Sequence, residues 1–245
     1  MAFAVADPSL GTVVDVPAHG ELRRMRRLER WMGIIAPRLA RRVVNGKPPQ
    51  PGWLPRRWLA VMSGDVDLEA GICVVWLVWC PRSAEAETHT ALIERCGRHW
   101  QYTGGGSSNA PSVSPASEMT PSDDAAADRP AAGQSGQIGM IECGGGAGGV
   151  SYAYRLQHPH SISAAPWVGA SELRVAAEVS HLLLGDRRIQ VPRNGRLIVA
   201  WKSRSTGNGG LRPLIVAVGH DGSELSRIGP HDNLDSYTWA KLNSQ

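Results

Sequence analysis

Phenylalanine occurs once in this 245-residue chain, at Phe3, and lysine only three times, at Lys47, Lys202 and Lys241. Bulky aromatic packing therefore falls to nine tryptophans, and 23 of the 26 basic residues are arginines. The 28 glycines, 17 prolines and abundant alanine share that bias, which points to a GC-rich coding sequence. The arginine excess is thus no evidence, by itself, of selection for bidentate geometry. Cysteine is scarce: Cys73, Cys80, Cys96 and Cys143 form no CxxC pair and no Cys/His set at zinc-finger spacing. They read as reduced structural thiols, with a Cys80–Cys96 disulfide as the alternative if their strands pair.

Long apolar runs are missing as well. The most apolar stretch, Ile72 to Trp79, is far short of the roughly 20 residues that span a bilayer. The N-terminus has no positive n-region and is interrupted by Asp7, which reads against a signal peptide and makes cytoplasmic the expected location. There is no HExxH, no nucleophile elbow and no paired-carboxylate signature. The reading leans against an enzyme, and no cofactor or metal is expected. A net charge of +4 permits an acidic partner without demanding one.

What is present divides the chain. Residues 1–19 read as a flexible lead, with a short extended piece at Thr12 to Val16. From Glu21, Leu22, Met25, Leu28, Met32, Ile35 and Leu39 recur at steps of three or four, the stripe of an amphipathic helix. Pro37 is expected to kink or divide it. The remaining faces carry arginines, and between positions 21 and 57 eleven cations oppose Glu21 and Glu29, a local balance of +9. Asn45-Gly46 and Pro48-Pro49 end the helix, and Trp53 to Trp58 reads as a loop with aromatic anchors. Gly71 to Cys80 is apolar on both faces, a buried strand, and His89 to Tyr102 reads as a hairpin about Cys96-Gly97 with Ile93 and Trp100 near the core. Residues 20–103 thus form an α+β domain, a basic helix across a small antiparallel sheet of about three strands.

Residues 104–136 hold Gly, Ser, Pro, Ala and Asp with almost no large apolar groups, the composition of a disordered linker. Its acids are Glu118, Asp123, Asp124 and Asp128. Residues 137–245 read as an all-β, sandwich-like domain of about seven antiparallel strands, near 138–143, 150–156, 172–179, 187–192, 196–202, 213–219 and 223–228. Leu173, Val175, Ala177 and Val179 alternate, as do Leu197, Val199 and Trp201, and Leu214, Val216 and Val218. Asn194-Gly195 and Asp221-Gly222 have the composition of tight I′ hairpin turns. Leu182 to Leu184 fits a further strand or a corner, and a short helix is expected within Leu234 to Leu242.

The strongest functional lead is the basic helix. Arg23, Arg24, Arg26, Arg27, Arg30 and Leu28, with Trp53, Trp58 and Trp167 in proline-rich loops, are the candidate partner-binding residues. The primary expectation is a soluble adaptor that binds another protein. One alternative is a small-ligand binder or enzyme with a pocket lined by Trp76, Trp79 and Trp100. The other is nucleic-acid or anionic-surface binding through the arginines, although no helix-turn-helix, zinc-finger or RNA-binding signature accompanies them. The run Gly144 to Gly149 lacks the Lys-Ser/Thr and the following helix of a phosphate loop, and reads as a connection between strands. His158-Pro159-His160 has two imidazoles but no visible third ligand, and Ser161, Ser163, Asp186 and Asp221 suggest no triad. Glu94, Glu142 and Glu178 read as residues of solvated sheet faces.

Overall fold

The computed structural model describes residues 19–83, 86–109, 139–203, 211–232 and 234–244, of which residues 19–28, 108, 109 and 162 are described by backbone alone. Within them the chain is mostly β, and every strand pairing is antiparallel. The expected lead, 1–19, lies outside these residues except for His19, which opens the first helix, and so does most of the expected linker, 110–136.

Helix α1 (His19–Val44) docks by its apolar stripe: Met32, Ile35 and Leu39 are buried, joined by Ala36 and Ala40. Of the two outcomes expected at Pro37, a kink or a division, the division does not occur, since one helix runs from His19 to Val44. Proline removes one backbone bond, to the carbonyl four residues back, and burial of the stripe on both sides of Pro37 holds the helix together. It ends where Gly46 adopts φ +64° and donates to Val43 O at 2.9 Å, while Lys47 N reaches Arg42 O at 2.9 Å.

Beneath α1 lies a four-stranded meander, β1 (Leu59–Asp67), β2 (Ile72–Trp79), β3 (Glu87–Cys96) and β4 (His99–Asn109), one strand more than expected. Residues 104–109, assigned above to the linker, are part of β4. Strand β2 is apolar on both faces because both are covered. Cys73, Val75 and Leu77 meet α1, whereas Ile72, Val74 and Trp76 meet a second sheet. That sheet has the order β5 (Ile141–Val150), β6 (Trp167–Val175), β9 (Arg196–Ser203). A third packs on its far side, in the order β11 (Glu224–Ile228), β10 (Ile215–Gly219), β7 (Val179–Leu184), β8 (Arg187–Gln190).

The result is four layers: helix, meander, three-stranded sheet, four-stranded sheet. Alternation sorts the middle sheet. Leu173, Val175, Leu197, Val199 and Trp201 face the third sheet, and Val168, Ala170, Ile198 and Ala200 face the meander. A fully buried carboxylate ties the ends of the sandwich together. Asp235 caps helix α3 (Ser236–Asn243) through Thr238 N at 2.9 Å, and also accepts from Met140 N, Ile141 N and the Ser226 hydroxyl.

The glycine run does not connect two strands. It is the body of β5, paired along β6 from Ile141–Val175 to Val150–Trp167. The stretch expected as a strand at 150–156 instead forms helix α2 (Tyr152–Gln157) after Val150. The tight turns also differ in type. Asp221-Gly222 does close the β10–β11 hairpin, but only Gly222 has positive φ, and Gly222 N donates to Gly219 O. This is a type I turn followed by a left-handed glycine, not a I′ turn. Asn194-Gly195 closes no hairpin, because β8 and β9 belong to different sheets.

Candidate interaction surface and the polar groups beneath it

The docked face of α1 determines which residues point outward. Arg30, Ile34 and Arg38 follow one another at four-residue steps, and Arg41 lies three further on, all exposed. Ile34, at 58% exposure, is the most exposed large hydrophobic side chain among the described residues. The following loop is held by Gln50, Pro51 and Leu54 rather than by its tryptophans. Pro51 and Leu54 are buried, and the Gln50 amide donates to Leu54 O at 2.8 Å and accepts from Val61 N at 2.7 Å. Trp53 and Trp58, named above both as anchors of this loop and as partner-binding candidates, do not anchor it: they stand 53% and 55% exposed. The Arg57 guanidinium sits 5.3 Å from the Trp58 ring centroid, within cation–π range. Arg42 Nε donates to Pro48 O, so loop and helix terminus form one surface. From 29 to 58 this surface carries Arg30, Arg38, Arg41, Arg42, Lys47, Arg56 and Arg57 against Glu29 alone.

Of the other partner candidates, Arg23, Arg24, Arg26, Arg27 and Leu28 lie on α1, in the part described by backbone alone. Trp167 starts β6, half-buried and opposite Ser203, in a different layer from the helix. The three pocket candidates are not brought together. Trp79 and Trp100 pack under α1, where Trp31 meets Trp79 edge-on at 4.9 Å between centroids, while Trp76 projects from the opposite face of the meander. The reason is parity, because positions 76 and 79 of one strand lie on opposite faces.

Several polar groups escaped sequence reasoning because their partners come from distant segments. His89, on the α1 side of β3, approaches the Tyr102 hydroxyl through Nε2 at 3.4 Å, and its buried Nδ1 has no hydrogen-bond partner. Burial holds this imidazole below its ordinary pKa, and burial, then Glu29, pushes the Tyr102 phenol up. On the other face, Thr90 donates to Glu172, whose carboxyl is pushed up by burial against the opposing effect of that bond. Trp76, directly across the ladder from Thr90, has a buried indole N–H without a partner.

Glu94 is not on a solvated face: it is 2% exposed and caps α2. It accepts from the Ser151 hydroxyl at 2.6 Å, Tyr152 N at 2.9 Å and Ala153 N at 3.2 Å. The one local signal for this site was Ser151, a favoured N-cap residue whose Oγ also accepts from Tyr154 N. At the opposite edge, Arg187 reaches Asp65 with Nη2 at 2.7 and 2.8 Å and Ala200 O with Nη1 at 2.7 Å. Asp65 in turn accepts from Ala200 N at 2.8 Å.

The remaining motifs stay apart. His158 and His160 are exposed, with the His158 ring tilted against Tyr154 at 4.4 Å between centroids, and no grouping of three metal-ligating side chains occurs among the described residues. The four cysteines are unpaired. Cys80 and Cys96 follow opposite ends of the β2–β3 ladder, beyond Trp79–Glu87 and Ile72–Glu94 respectively, so strand pairing separates them. Among the described residues no helix is long and apolar enough to cross a membrane. No family model matches this chain, and neither a curated protein nor a solved structure is detectably similar to it.

Proposed function

We propose that this chain is a non-enzymatic binding protein, an adaptor that holds another protein on the surface made by the outer strip of α1 and the Trp53–Trp58 loop. One observation carries the reading: two tryptophans more than half exposed stand beside a cluster of cations on a buttressed loop. Large aromatics in water forgo the burial that stabilises a core, about 25 cal/mol for each Å² of apolar area. Exposed tryptophan and arginine are also the residue types that dominate binding hot spots. The loop is supported from beneath: Gln50 accepts from Val61 N of β1, and Leu54 packs into the core under α1.

The test is a nuclease-treated pull-down from host lysate with the wild-type chain and with Trp53→Ala/Trp58→Ala. A protein retained by wild type and weakened about tenfold or more in the double variant is the expected result. Unfolding temperature should be unchanged, because exposed substitutions cost little stability. Equal recovery by both baits would overturn the assignment of this surface.

A further inference from the structure

We infer that the partner presents an amphipathic helix with acidic residues one turn apart on either side of an apolar residue, seated along Arg30, Ile34, Arg38 and Arg41. This inference rests on the binding reading above and specifies its chemistry. The strip has a helical repeat: Arg30 and Arg38 bracket Ile34 at one turn each way, about 5.4 Å along the axis per turn. A second helix with glutamates four residues to either side of a leucine repeats the same rise. Both carboxylates then meet guanidinium groups while the leucine covers Ile34. Met32, Ile35, Ala36, Leu39 and Ala40 are buried on the opposite face, so α1 cannot roll and the strip stays presented.

Charge complementarity selects an acidic occupant, since the described side chains from 29 to 58 carry seven cations and one acid. The apolar residue inside the charged strip selects a peptide over the other polyanions. Phosphates of a nucleic acid would pair with Arg30 and Arg38 but offer Ile34 no aliphatic partner. An interfacial membrane helix inserts its apolar face, whereas that face of α1 is spent on the meander.

The full-length chain is titrated, at physiological salt, into a fluorescein-labelled peptide in which leucines are bracketed by glutamates four residues away. Parallel titrations use the glutamine counterpart, labelled oligo-dT and phosphatidylserine-containing vesicles. The acidic peptide should bind with a Kd below about 100 μM. Affinity should fall about tenfold or more for Arg30→Glu/Arg38→Glu, for Ile34→Ser and for the glutamine peptide. A lysine-for-glutamate peptide should bind the Arg30→Glu/Arg38→Glu variant better than wild type. Indifference of peptide binding to these substitutions overturns the inference, as does tighter binding of oligo-dT or vesicles than of the peptide. If the inference fails while the Trp53→Ala/Trp58→Ala bait still loses its protein partner, the binding reading survives. If that bait loses nothing, the assignment of this surface falls as well.

Discussion

Two acidic side chains in the interior are treated very differently by their surroundings. Asp235 accepts five hydrogen bonds, from Met140 N, Ile141 N, Ser226 Oγ, Thr238 N and Thr238 Oγ1, so its removal from water is matched by donors. Glu172 lies between two sheets with the Thr90 hydroxyl as its donor, and burial raises its pKa above 4.5. A carboxyl that holds its proton more tightly when folded contributes stability at acid pH, and that contribution is lost as pH rises from 4.5 through the folded value. Glu172→Gln keeps the shape and an acceptor for Thr90 but cannot ionise. Its unfolding temperature should therefore exceed the wild type's at pH 7, with the gap closing near pH 4. Thermal unfolding across that range checks the sign, and a gap that widens toward acid would refute the account.

At the level of elements, the glycines of β5 and β6 make room for side chains and backbone of neighbouring strands in the same sheet. Gly169 lies beneath the Trp201 indole, where an added Cβ would come within 2.3 Å of the ring. Trp201 is buried and donates from Nε1 to Ser171 Oγ at 3.1 Å, so it has little freedom to move aside. Gly169→Ala should cost about 1–3 kcal/mol by overpacking, measured by denaturant unfolding, with the near-UV circular dichroism of Trp201 altered. Such proximity could not be seen from the glycine run alone, which reads equally as a flexible connection. Helix α1 was legible because its stripe repeats over many turns, and β9 because Leu197, Val199 and Trp201 alternate. Helix α2 was not: Val150-Ser151-Tyr152-Ala153-Tyr154 alternates like a strand. Donors at its first turn are satisfied by Glu94, more than fifty positions upstream. A weak local preference yields to a cap that only tertiary contact supplies.

Across the whole molecule, the meander and the three-stranded sheet share a core of Ile72, Val74, Trp76, Leu92, Val168, Ala170, Ile198 and Ala200. Their edges β1 and β9 are stitched by side chains. Ser63 Oγ accepts from Ile198 N, Asp65 accepts from Ala200 N, and Arg187 bridges Asp65 to the Ala200 carbonyl. The cluster is largely buried, with side-chain exposures of 25% for Arg187 and 15% for Asp65. Arg187→Ala should destabilise the protein by about 2–3 kcal/mol, because both Asp65 oxygens lose the Nη2 donor and the Ala200 carbonyl loses Nη1. Arg187→Lys should recover only part of that loss, since an ammonium cannot reproduce the fork. Exposed Arg188→Ala is the control and should fall within about 0.5 kcal/mol of wild type. Urea unfolding of the three variants distinguishes a structural weld from an incidental surface pair.

The candidate surface was half legible for the same reason as the fold. Periodicity placed Met32, Ile35 and Leu39 inward, and so the arginines outward. The sequence offered two roles for Trp53 and Trp58, anchoring their loop or binding a partner, because a tryptophan beside proline suits either, and their exposure removes the first. By itself the sequence determined α1, the doubly apolar β2, the alternating β9 and the hairpin at Asp221-Gly222. But it ran one strand through the turn between β6 and β7, and put Leu214 and Val216 on the core face at β10, where Ile215 and Ala217 are buried instead. Tertiary structure decided which faces those elements share, that β5 is a strand and α2 a helix, and that Trp76 parts from Trp79 and Trp100. The physical reason is range. Repeats of 3.6 and 2 residues are local and written in side-chain order, whereas caps, close glycine contacts and inter-sheet ion pairs form between residues that only folding brings together.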